Sequence, residues 1–422
     1  MARIIQVARQ AIALIALAIL LWSYSALGAR ADSESTKSLT RNLEAVIVPG
    51  RVITGFLGLP TDHLFVYAEH ANRWRQLPFQ IDQVSEHGNY VSPGSGILGA
   101  DDEIVFMAID LGDKGSLPAL AASIPISSSG YQIEVSDSLS PTLKGRAYLV
   151  ASPHLTRSFT ETYALFDEQT ERVVTPDYTL GFIKEHPGID YLALYGSGID
   201  ILDRTKIRVQ SVMGQRTEED LDPTPIELIK NGPVRVIAWD GAFLGYRSLI
   251  EMEIEYRLPA GVTIARLSTD FSSEIVTATF YNANTAEGIL IDGLPDTVRP
   301  APVSSWWQVS GSTGTLVQVT DLSQIDGILS NYYKDDATID PNDKGDRKSY
   351  GDSGIKAVNP NANVLYRSAY LLLPPQQPNV GETYAAYWLH PLLVEAMTQS
   401  ASFHMALPLI IKGSQDRNIL TK

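Results

Sequence analysis

The stretch that decides the fold is Ile250-Glu251-Met252-Glu253-Ile254-Glu255-Tyr256-Arg257-Leu258, in which apolar and charged residues alternate without interruption. Successive side chains of a β-strand point to opposite faces of the sheet, so this alternation predicts a strand with one buried and one solvated face. Pro259-Ala260-Gly261 then supplies residues typical of a turn, and 262–269 is again β-rich. The pattern therefore predicts a β-hairpin over 249–269.

Similar β-rich runs occur along most of the chain, and Gly, Pro, Asn or Asp separates nearly all of them. These runs are 45–48, 52–57, 64–68, 104–108, 131–135, 147–151, 206–213, 234–239, 275–281, 315–319 and 364–373. Only 225–230 and 392–399 have the pattern of short helices. Many short strands with regular turn residues predict an all-β protein.

A polar stretch at 152–158 separates two β-rich blocks and predicts a domain boundary. We expect a small N-terminal β-barrel or β-sandwich domain over 32–155. A larger two-sheet antiparallel β-sandwich is expected to follow over 156–422.

The N-terminus has the pattern of an export signal. Arg3 and Arg9 precede the apolar run 11–22, and Ala29-Arg30-Ala31 fits the A-x-A pattern of a cleavage site. The run is about 12 residues long, whereas a spanning helix needs roughly 20. We therefore predict a signal peptide over 1–31 and an exported protein, periplasmic or extracellular. Contact with a membrane is expected only through this segment, if it is retained.

The composition excludes several classes of function. The chain has 48 acidic and 33 basic residues, a net charge of −15, and no cysteine. A nucleic-acid-binding protein needs a basic face, and thiolate metal sites and disulfides need cysteine. The sequence also lacks a glycine-rich phosphate loop or a dinucleotide fingerprint, so we expect no nucleotide cofactor. The oligomeric state is not indicated.

The densest polar segment, 335–346, carries five aspartates that are candidate calcium ligands. They are Asp335, Asp336, Asp340, Asp343 and Asp346. Calcium prefers six to eight oxygen ligands, and an exported protein meets it at concentrations that fill weak sites. The spacing is not that of an EF-hand, so a solvated acidic loop remains the alternative.

Aromatic residues beside acidic ones suggest carbohydrate binding, which uses aromatic platforms and polar groups for sugar hydroxyls. The candidate ligand-binding residues are Trp306, Trp307, Tyr333, Glu253 and Glu255. Adjacent residues of a strand face opposite ways, so at most one of the two tryptophans faces the core. The other is an exposed platform or is covered by a loop. The glutamates form a solvated face or line a concave sheet.

One region resembles a known family. Trp74-Arg75-Gln76-Leu77-Pro78-Phe79-Gln80-Ile81-Asp82, followed by Ala100-Asp101-Asp102-Glu103-Ile104-Val105-Phe106, resembles the N-terminal β domain of secreted bacterial proteins similar to exo-acting rhamnogalacturonan lyases. The resemblance covers about residues 45–110 and implies that a galactose-mutarotase-like β-sandwich follows. A structural explanation is that Gln80 and Asp82 join strand ends and turns by side-chain hydrogen bonds.

A lyase needs a base for the proton next to a uronate, and cations that neutralise the carboxylate. Tyr350, Arg347 and Arg257 are the catalytic candidates by residue type and neighbourhood, because no catalytic residue of the family can be matched here. The net negative charge disfavours an anionic polysaccharide unless the cleft is locally basic or loaded with calcium.

The sequence thus predicts an exported β protein that binds or processes carbohydrate, with a glycan as its partner and lyase-like chemistry as one form of processing. The alternative is a non-enzymatic surface or structural β protein that binds calcium.

Overall fold

The computed structural model describes residues 36–184, 188–222, 225–361 and 363–400. In this part of the chain 27 strands form five antiparallel sheets, with two short α-helices, which confirms the all-β prediction. None of the described helices is both long and apolar enough to cross a membrane. The signal peptide predicted over 1–31 lies outside the described residues.

The N-terminal part contains the first eight strands and one helix. They are β1 (Ala45–Pro49), β2 (Leu64–His70), β3 (Arg73–Gln76), β4 (Phe79–Val84), β5 (Tyr90–Val91), β6 (Glu103–Met107), α1 (Leu117–Ala121), β7 (Ser129–Asp137) and β8 (Ser140–Ala151).

The rest of the described chain contributes nineteen strands and the second helix. The strands up to the long central pair are β9 (Leu165–Asp167), β10 (Arg172–Val174), β11 (Tyr178–Phe182), β12 (Ile189–Leu194), β13 (Leu202–Ser211), β14 (Gly214–Thr217), β15 (Leu228–Asn231), β16 (Val236–Ala238), β17 (Phe243–Gly245), β18 (Leu249–Arg257) and β19 (Val262–Phe271). The remaining elements are β20 (Thr279–Asn282), β21 (Thr285–Leu290), β22 (Trp306–Ser310), β23 (Thr315–Thr320), β24 (Ile328–Asp336), β25 (Ser349–Val358), β26 (Asn363–Leu373), α2 (Gly381–Leu389) and β27 (Leu393–Ser400).

The N-terminal sandwich consists of two sheets, with strand orders β1-β6-β4-β5 and β27-β7-β8-β2-β3. The central strand β6 is apolar on both faces. Ile104 and Phe106 belong to the core between these two sheets, whereas Val105 and Met107 pack against the C-terminal part of the chain. One short strand therefore anchors two cores, which explains its unbroken apolar run.

The C-terminal sandwich is built on a nine-stranded sheet, β15-β16-β17-β18-β26-β23-β22-β20-β21. Alternate residues of its central strands enter different cores. Ile250 and Leu372 face the interior of this sandwich, which the sheets β14-β13-β19-β25-β24 and β12-β11-β10-β9 cover. Leu249 and Leu371 point the other way, toward β6. The nine-stranded sheet is thus buried on both faces at its centre.

The predicted hairpin over 249–269 is wrong, although the alternation that suggested it is real. Ile250 is buried and Glu253 and Glu255 are exposed, as the pattern predicts. However, β18 pairs with β17 and β26, whereas β19 pairs with β13 and β25 in the opposite sheet. The turn after β18 crosses the sandwich, because period-2 alternation defines the buried face of a strand but not its partner.

Three further local predictions fail. The run 52–57 forms two 3-10 turns instead of a strand, and 228–231 is strand β15 instead of part of a helix. The helix predicted over 392–399 is strand β27, which pairs along its whole length with β7. The end of the described chain thus returns to the N-terminal sandwich. The division into 32–155 and 156–422 stays a prediction.

A buried arginine joins the two sandwiches. Arg235 is completely buried, and its Nε donates to Asp82 Oδ2 at 2.9 Å. Its two terminal nitrogens donate to Glu103 Oε2 at 2.5 Å and to the Tyr246 hydroxyl at 3.0 Å. Asp82 and Glu103 face each other across β4 and β6, so the arginine binds two neighbouring strands of the N-terminal sheet.

Gln80 completes this junction. Its side-chain oxygen accepts the backbone N–H groups of Val234 and Arg235, each at 2.9 Å, and its Nε2 donates to Asp82. A Cβ at Gly232 would lie 2.2 Å from the same oxygen, so only glycine allows this approach. Gln80 and Asp82 therefore form the expected kind of hydrogen bond, but they join two sandwiches rather than neighbouring turns.

Arg235→Met should lower the free energy of unfolding by about 3–5 kcal/mol, because it leaves the carboxylates of Asp82 and Glu103 without their buried cation. Urea unfolding followed by tryptophan fluorescence measures the loss. Arg51→Met is the matched control: its salt bridge to Asp101 is exposed, so it should cost less than about 1 kcal/mol. Equal losses in the two variants would contradict the structural role of Arg235.

Candidate functional site

The outer face of the sheet β14-β13-β19-β25-β24 carries a row of three basic residues. Arg208 on β13 lies opposite Arg266 on β19, and Arg266 lies opposite Lys356 on β25. Residues paired in this way point to the same face of an antiparallel sheet, with Cβ atoms about 5 Å apart. We call Arg208, Arg266 and Lys356 the cation row.

Within the described ranges, Arg208 is the one member of the cation row that has acidic partners. Arg208 forms salt bridges with Glu218 and, at 2.8 Å, with Asp343. Arg266 and Lys356 have no acidic partner within 4 Å among the described residues. The Arg266 guanidinium instead lies 4.0 Å from the centre of the Tyr332 ring, and its buried Nε has no hydrogen-bond partner in the described structure. Like charges directly across a strand pair are destabilising, so an anion bound here would offset a repulsion.

The cation row lines an open groove of about 390 Å³. Its other walls supply uncharged hydrogen-bonding groups as well as charges. The groove residues outside the cation row are Val209, Gln210, Gln215, Ile264, Tyr332, Lys334, Asp340, Asn342 and Asp343. Burial, and next the nearby Asp352 carboxylate, raise the pKa of the Tyr332 phenol well above its ordinary value. This hydroxyl is therefore protonated at neutral pH and can donate a hydrogen bond.

A buried ionic cluster lies beside the cation row on the same face of the sheet, because Lys206 is two residues before Arg208 on β13. Lys206 is completely buried, and its Nζ lies 2.5 Å from Asp270 Oδ2 and 2.7 Å from Asp343 Oδ2. Burial alone would lower the pKa of Lys206, but the carboxylates of Asp270 and Asp352 outweigh it and raise this pKa. Burial, followed by repulsion from Asp352, raises the pKa of Asp270, while the nearby Lys206 opposes this rise.

Asp343 fastens the loop 337–348 to the sheet, because its carboxylate bridges Lys206 and Arg208. Burial opposes the charged form, but hydrogen bonds and charge from Lys206, with a hydrogen bond from Arg208, lower the Asp343 pKa to about 2. Gly345 lets the loop approach closely, since a Cβ there would lie 2.0 Å from Asp203 Oδ2. The segment is thus held by specific ion pairs rather than being only a solvated loop.

The five aspartates predicted as calcium ligands do not form one site. Asp343 binds Lys206 and Arg208, while Asp336, Asp340 and Asp346 accept nearby backbone N–H groups within their own loop. Asp335 is buried and accepts the N–H groups of two residues in another segment, at 292 and 293. Among the described residues, only Asp335 of these five belongs to a group of carboxylates close enough to share an ion.

Asp335 instead belongs to a different acidic group. Carboxylate oxygens of Asp292, Asp296 and Asp335 all lie within 4.8 Å of one another, a spacing that one cation could bridge. Asp292 and Asp296 are exposed, so an ion could reach them from solvent. Sequence reasoning missed these two partners because they lie about forty positions away from Asp335.

The predicted aromatic platforms are not on the surface. Trp306 and Trp307 are each only 6% exposed and face the two opposite cores of the nine-stranded sheet. Helix α2 covers Trp306 so closely that a Cβ at Gly381 would meet its ring at 2.1 Å. Tyr333 is half-buried and packs on Phe280, with ring centres 4.4 Å apart. Of the two alternatives for the second tryptophan, the covered one is therefore correct, although a helix rather than a loop covers it.

The predicted catalytic residues are not brought together. Tyr350 is buried in the sandwich core, Arg347 lies in the loop before β25, and Arg257 lies at the end of β18 in the other sheet. A buried phenol packed among apolar side chains does not reach a substrate. The catalytic role of these residues stays a prediction that the geometry does not favour.

The glutamate stripe lies on the solvent-facing side of β18. Glu253 and Glu255 are exposed, and Glu253 lies 3.6 Å from Arg367. Glu251, on the same face, instead accepts the indole N–H of Trp388 at 2.8 Å in a cleft between the two sandwiches. The predicted pair therefore forms an ordinary solvated face.

The cation row was missed because its members are distant in sequence, at positions 208, 266 and 356. A partial signal exists in β13, where Arg204, Lys206 and Arg208 alternate with uncharged residues on one strand face. Neither a protein-family model nor a curated protein sequence matches this chain.

Asp343→Asn should lower the free energy of unfolding by about 3 kcal/mol at pH 7, because Lys206 and Arg208 lose a shared buried carboxylate. The loss should be complete above about pH 4 and should shrink as the pH falls toward the folded-state pKa of about 2, where the wild-type carboxylate is protonated as well. Chemical unfolding at several pH values measures this. Asp340→Asn is the control, since its nearest cation is 3.9 Å away and partly exposed. A pH-independent difference would contradict the ion-pair explanation.

If calcium binds this chain, it should raise the melting temperature, and Asp292→Asn with Asp296→Asn should remove that rise, because ligand binding stabilises the folded state. Thermal melts in chelator, calcium and magnesium test this, with Asp336→Asn, Asp346→Asn as the matched control of equal charge change. Loss of the shift in the control pair alone would place the ion in the 335–346 loop. Identical melts in all three solutions would exclude a calcium site of useful affinity.

Proposed function

We propose that the protein is an exported carbohydrate-binding protein that binds carboxylate-bearing sugars on the cation row. The observation that supports this proposal is that Arg266 and Lys356 face each other across β19 and β25 without an acidic partner in the part of the chain that the structure describes. Natural proteins commonly hold such destabilising arrangements at functional sites, where the ligand supplies the missing interaction.

The charge of the whole chain strengthens this interpretation. With 48 acidic and 33 basic residues the protein repels anions in general. Around one groove, Arg208, Arg266, Lys334 and Lys356 outnumber the carboxylates of Asp340 and Asp343, so the local charge opposes that general repulsion. This is the locally basic cleft that an acidic glycan requires on an acidic protein.

The groove offers suitable chemistry for each part of a uronate. The planar Arg266 guanidinium can bind a carboxylate through two parallel hydrogen bonds, and Lys356 adds a point charge. The amides of Gln210, Gln215 and Asn342 can exchange hydrogen bonds with sugar hydroxyls. The protonated Tyr332 hydroxyl adds a donor next to Arg266.

Binding is the activity that this geometry supports best. Elimination would require a base that removes the proton next to the carboxylate. Tyr332 does not act as that base in its protonated state, since burial raises its pKa. The sequence resemblance is therefore the only support for lyase-like processing of the sugar.

The alternative, a non-enzymatic surface or structural protein that binds calcium, draws on the grouping of Asp292, Asp296 and Asp335. The calcium melts described above test it separately, because those aspartates are not among the residues that line the groove.

Isothermal titration calorimetry with oligogalacturonates and with neutral galactose oligomers tests the proposal. The acidic oligomers should bind and the neutral ones should bind at least tenfold more weakly. Arg266→Gln with Lys356→Gln should weaken binding of the acidic oligomers by at least tenfold, which is about 1.4 kcal/mol. The same double variant should melt no lower than the wild type, because it removes a repulsion between like charges.

Arg73→Gln with Arg299→Gln is the control, because both arginines are exposed and their removal changes the net charge equally. An equal loss of affinity in this control would mean that only overall charge matters. Equal binding of acidic and neutral oligomers by the wild type would overturn the proposal.

A further inference from the structure

A second cavity lies at one end of the C-terminal sandwich, between its two sheets. Its volume is about 160 Å³ and its walls are almost entirely apolar. Leu267 on β19 and Ile355 on β25 form one wall, and Tyr256 on β18 with Val364 and Tyr366 on β26 form the other. The cavity is therefore a part of the sandwich interior that the side chains do not fill.

The size and the apolar walls of this cavity indicate which class of ligand would bind in it. Protein interiors are normally close-packed, so a void large enough for several carbon atoms is uncommon. An engineered cavity of about 150 Å³ lined by aliphatic and aromatic side chains stays free of water and binds benzene. The chemistry of the walls thus favours a hydrocarbon group over a sugar or a polar metabolite.

Besides Arg266, two exposed arginines lie at the edge of the cavity. Arg216 on β14 and Arg257 at the end of β18 both line it and are both exposed. Neither forms a salt bridge with any residue that the structure describes. A ligand that combines a hydrocarbon chain with a negatively charged head matches this arrangement, because the head can remain hydrated beside the two cations.

The turns at the same end are unusually apolar. Val212 and Met213, at the tip of the β13–β14 turn, are 82% and 75% exposed. This tip contacts the turn after β18, where the Val212 N–H donates to Gly261 O. Pro259 of that turn lines the cavity. Ile328, at the start of the neighbouring edge strand β24, is 71% exposed. Exposed apolar groups around a cavity opening suit a ligand that arrives from a lipid or surfactant phase.

We propose that this cavity binds the hydrocarbon chain of an anionic amphiphile, with a fatty acid as the simplest member of the class. The chain enters between the two sheets, and the carboxylate remains at the surface with Arg216 and Arg257. Arg266 of the cation row borders both this cavity and the groove on the outer face of the same sheet, whereas Arg216 and Arg257 line the cavity and not the groove. Variants at Arg216 and Arg257 therefore test this proposal without touching the groove.

Calorimetric titration with decanoate, decanol and decyltrimethylammonium, each below its aggregation limit, tests this proposal. Decanoate should bind at one site with a negative heat-capacity change, the mark of apolar burial. The trimethylammonium compound should bind at least tenfold more weakly. Arg216→Gln with Arg257→Gln should weaken decanoate at least fivefold and leave decanol unchanged.

Variants that fill the cavity separate this site from non-specific adsorption. Ala265→Leu with Ala357→Leu places new side-chain atoms in the cavity and should weaken binding of all chains at least tenfold, whereas Ala286→Leu on the exposed strand β21 should not. Thermal melts report whether the filled variant folds. If it does not, Val364→Ile adds a single methylene group and should weaken decanoate measurably.

Undiminished decanoate binding in the folded filled variants, or the absence of saturable binding to the wild type, would overturn the proposal. Equal affinity for the anionic and cationic compounds would overturn the role of the arginines. Oligogalacturonate should not compete with decanoate, and full competition would show that both ligands use the cation row.

Discussion

A buried guanidinium must be surrounded by acceptors, and the arrangement of the two sandwiches depends on how this chain meets that requirement at Arg235. Its acceptors come from β4 and β6 in the N-terminal sheet and from Tyr246 beside the nine-stranded sheet. Leaving any of these groups unpaired in a low dielectric costs several kcal/mol, so alternative docking positions are strongly disfavoured. Val105 and Met107 bury apolar surface between the two sandwiches, whereas the hydrogen bonds of Arg235 favour one position of the sandwiches relative to each other. This division of roles is typical of buried ion pairs that specify geometry.

The second ionic cluster, around Lys206 and Arg208, fixes the position of a loop because these charges also require partners of opposite sign. Lys206 and Arg208 contact Asp270 and Glu218, and the carboxylate of Asp343 bridges the two cations from the loop. The segment 337–348, which has the composition of a solvated loop, is therefore ordered by what lies under it. Arg266 and Lys356, one and two strands away, receive no such partner from the residues of known placement. The contrast between compensated and uncompensated cations on one sheet face separates the structural charges from those available to a ligand.

The five-stranded sheet illustrates how one element can carry two unrelated surfaces. Because side chains alternate, Leu267 faces the apolar cavity, while Arg266, its neighbour, lines the polar groove and also borders the cavity. Residues on the two faces can differ independently without changing the backbone pairing. A single sheet can therefore offer a site for anions on one side and a site for hydrocarbon on the other.

The local sequence pattern determined the secondary-structure class of this protein. The alternation in 250–258, the β-rich runs and the turn residues are enough for an all-β fold, because the period of burial depends only on neighbouring residues. The roles of Gln80 and Asp82 as hydrogen-bonding residues could also be anticipated, since short polar side chains inside strands need partners. The sequence left open which strands pair with each other. β18 and β19 are adjacent in the chain but belong to opposite sheets, and β27 pairs with β7 across more than two hundred residues. The candidate site shows the same limit. Arg208, Arg266 and Lys356 become neighbours only through strand register, and Trp306 is covered only because α2 packs on it. Long-range pairing and packing are decided by the energy of the whole core, which no single stretch of sequence contains.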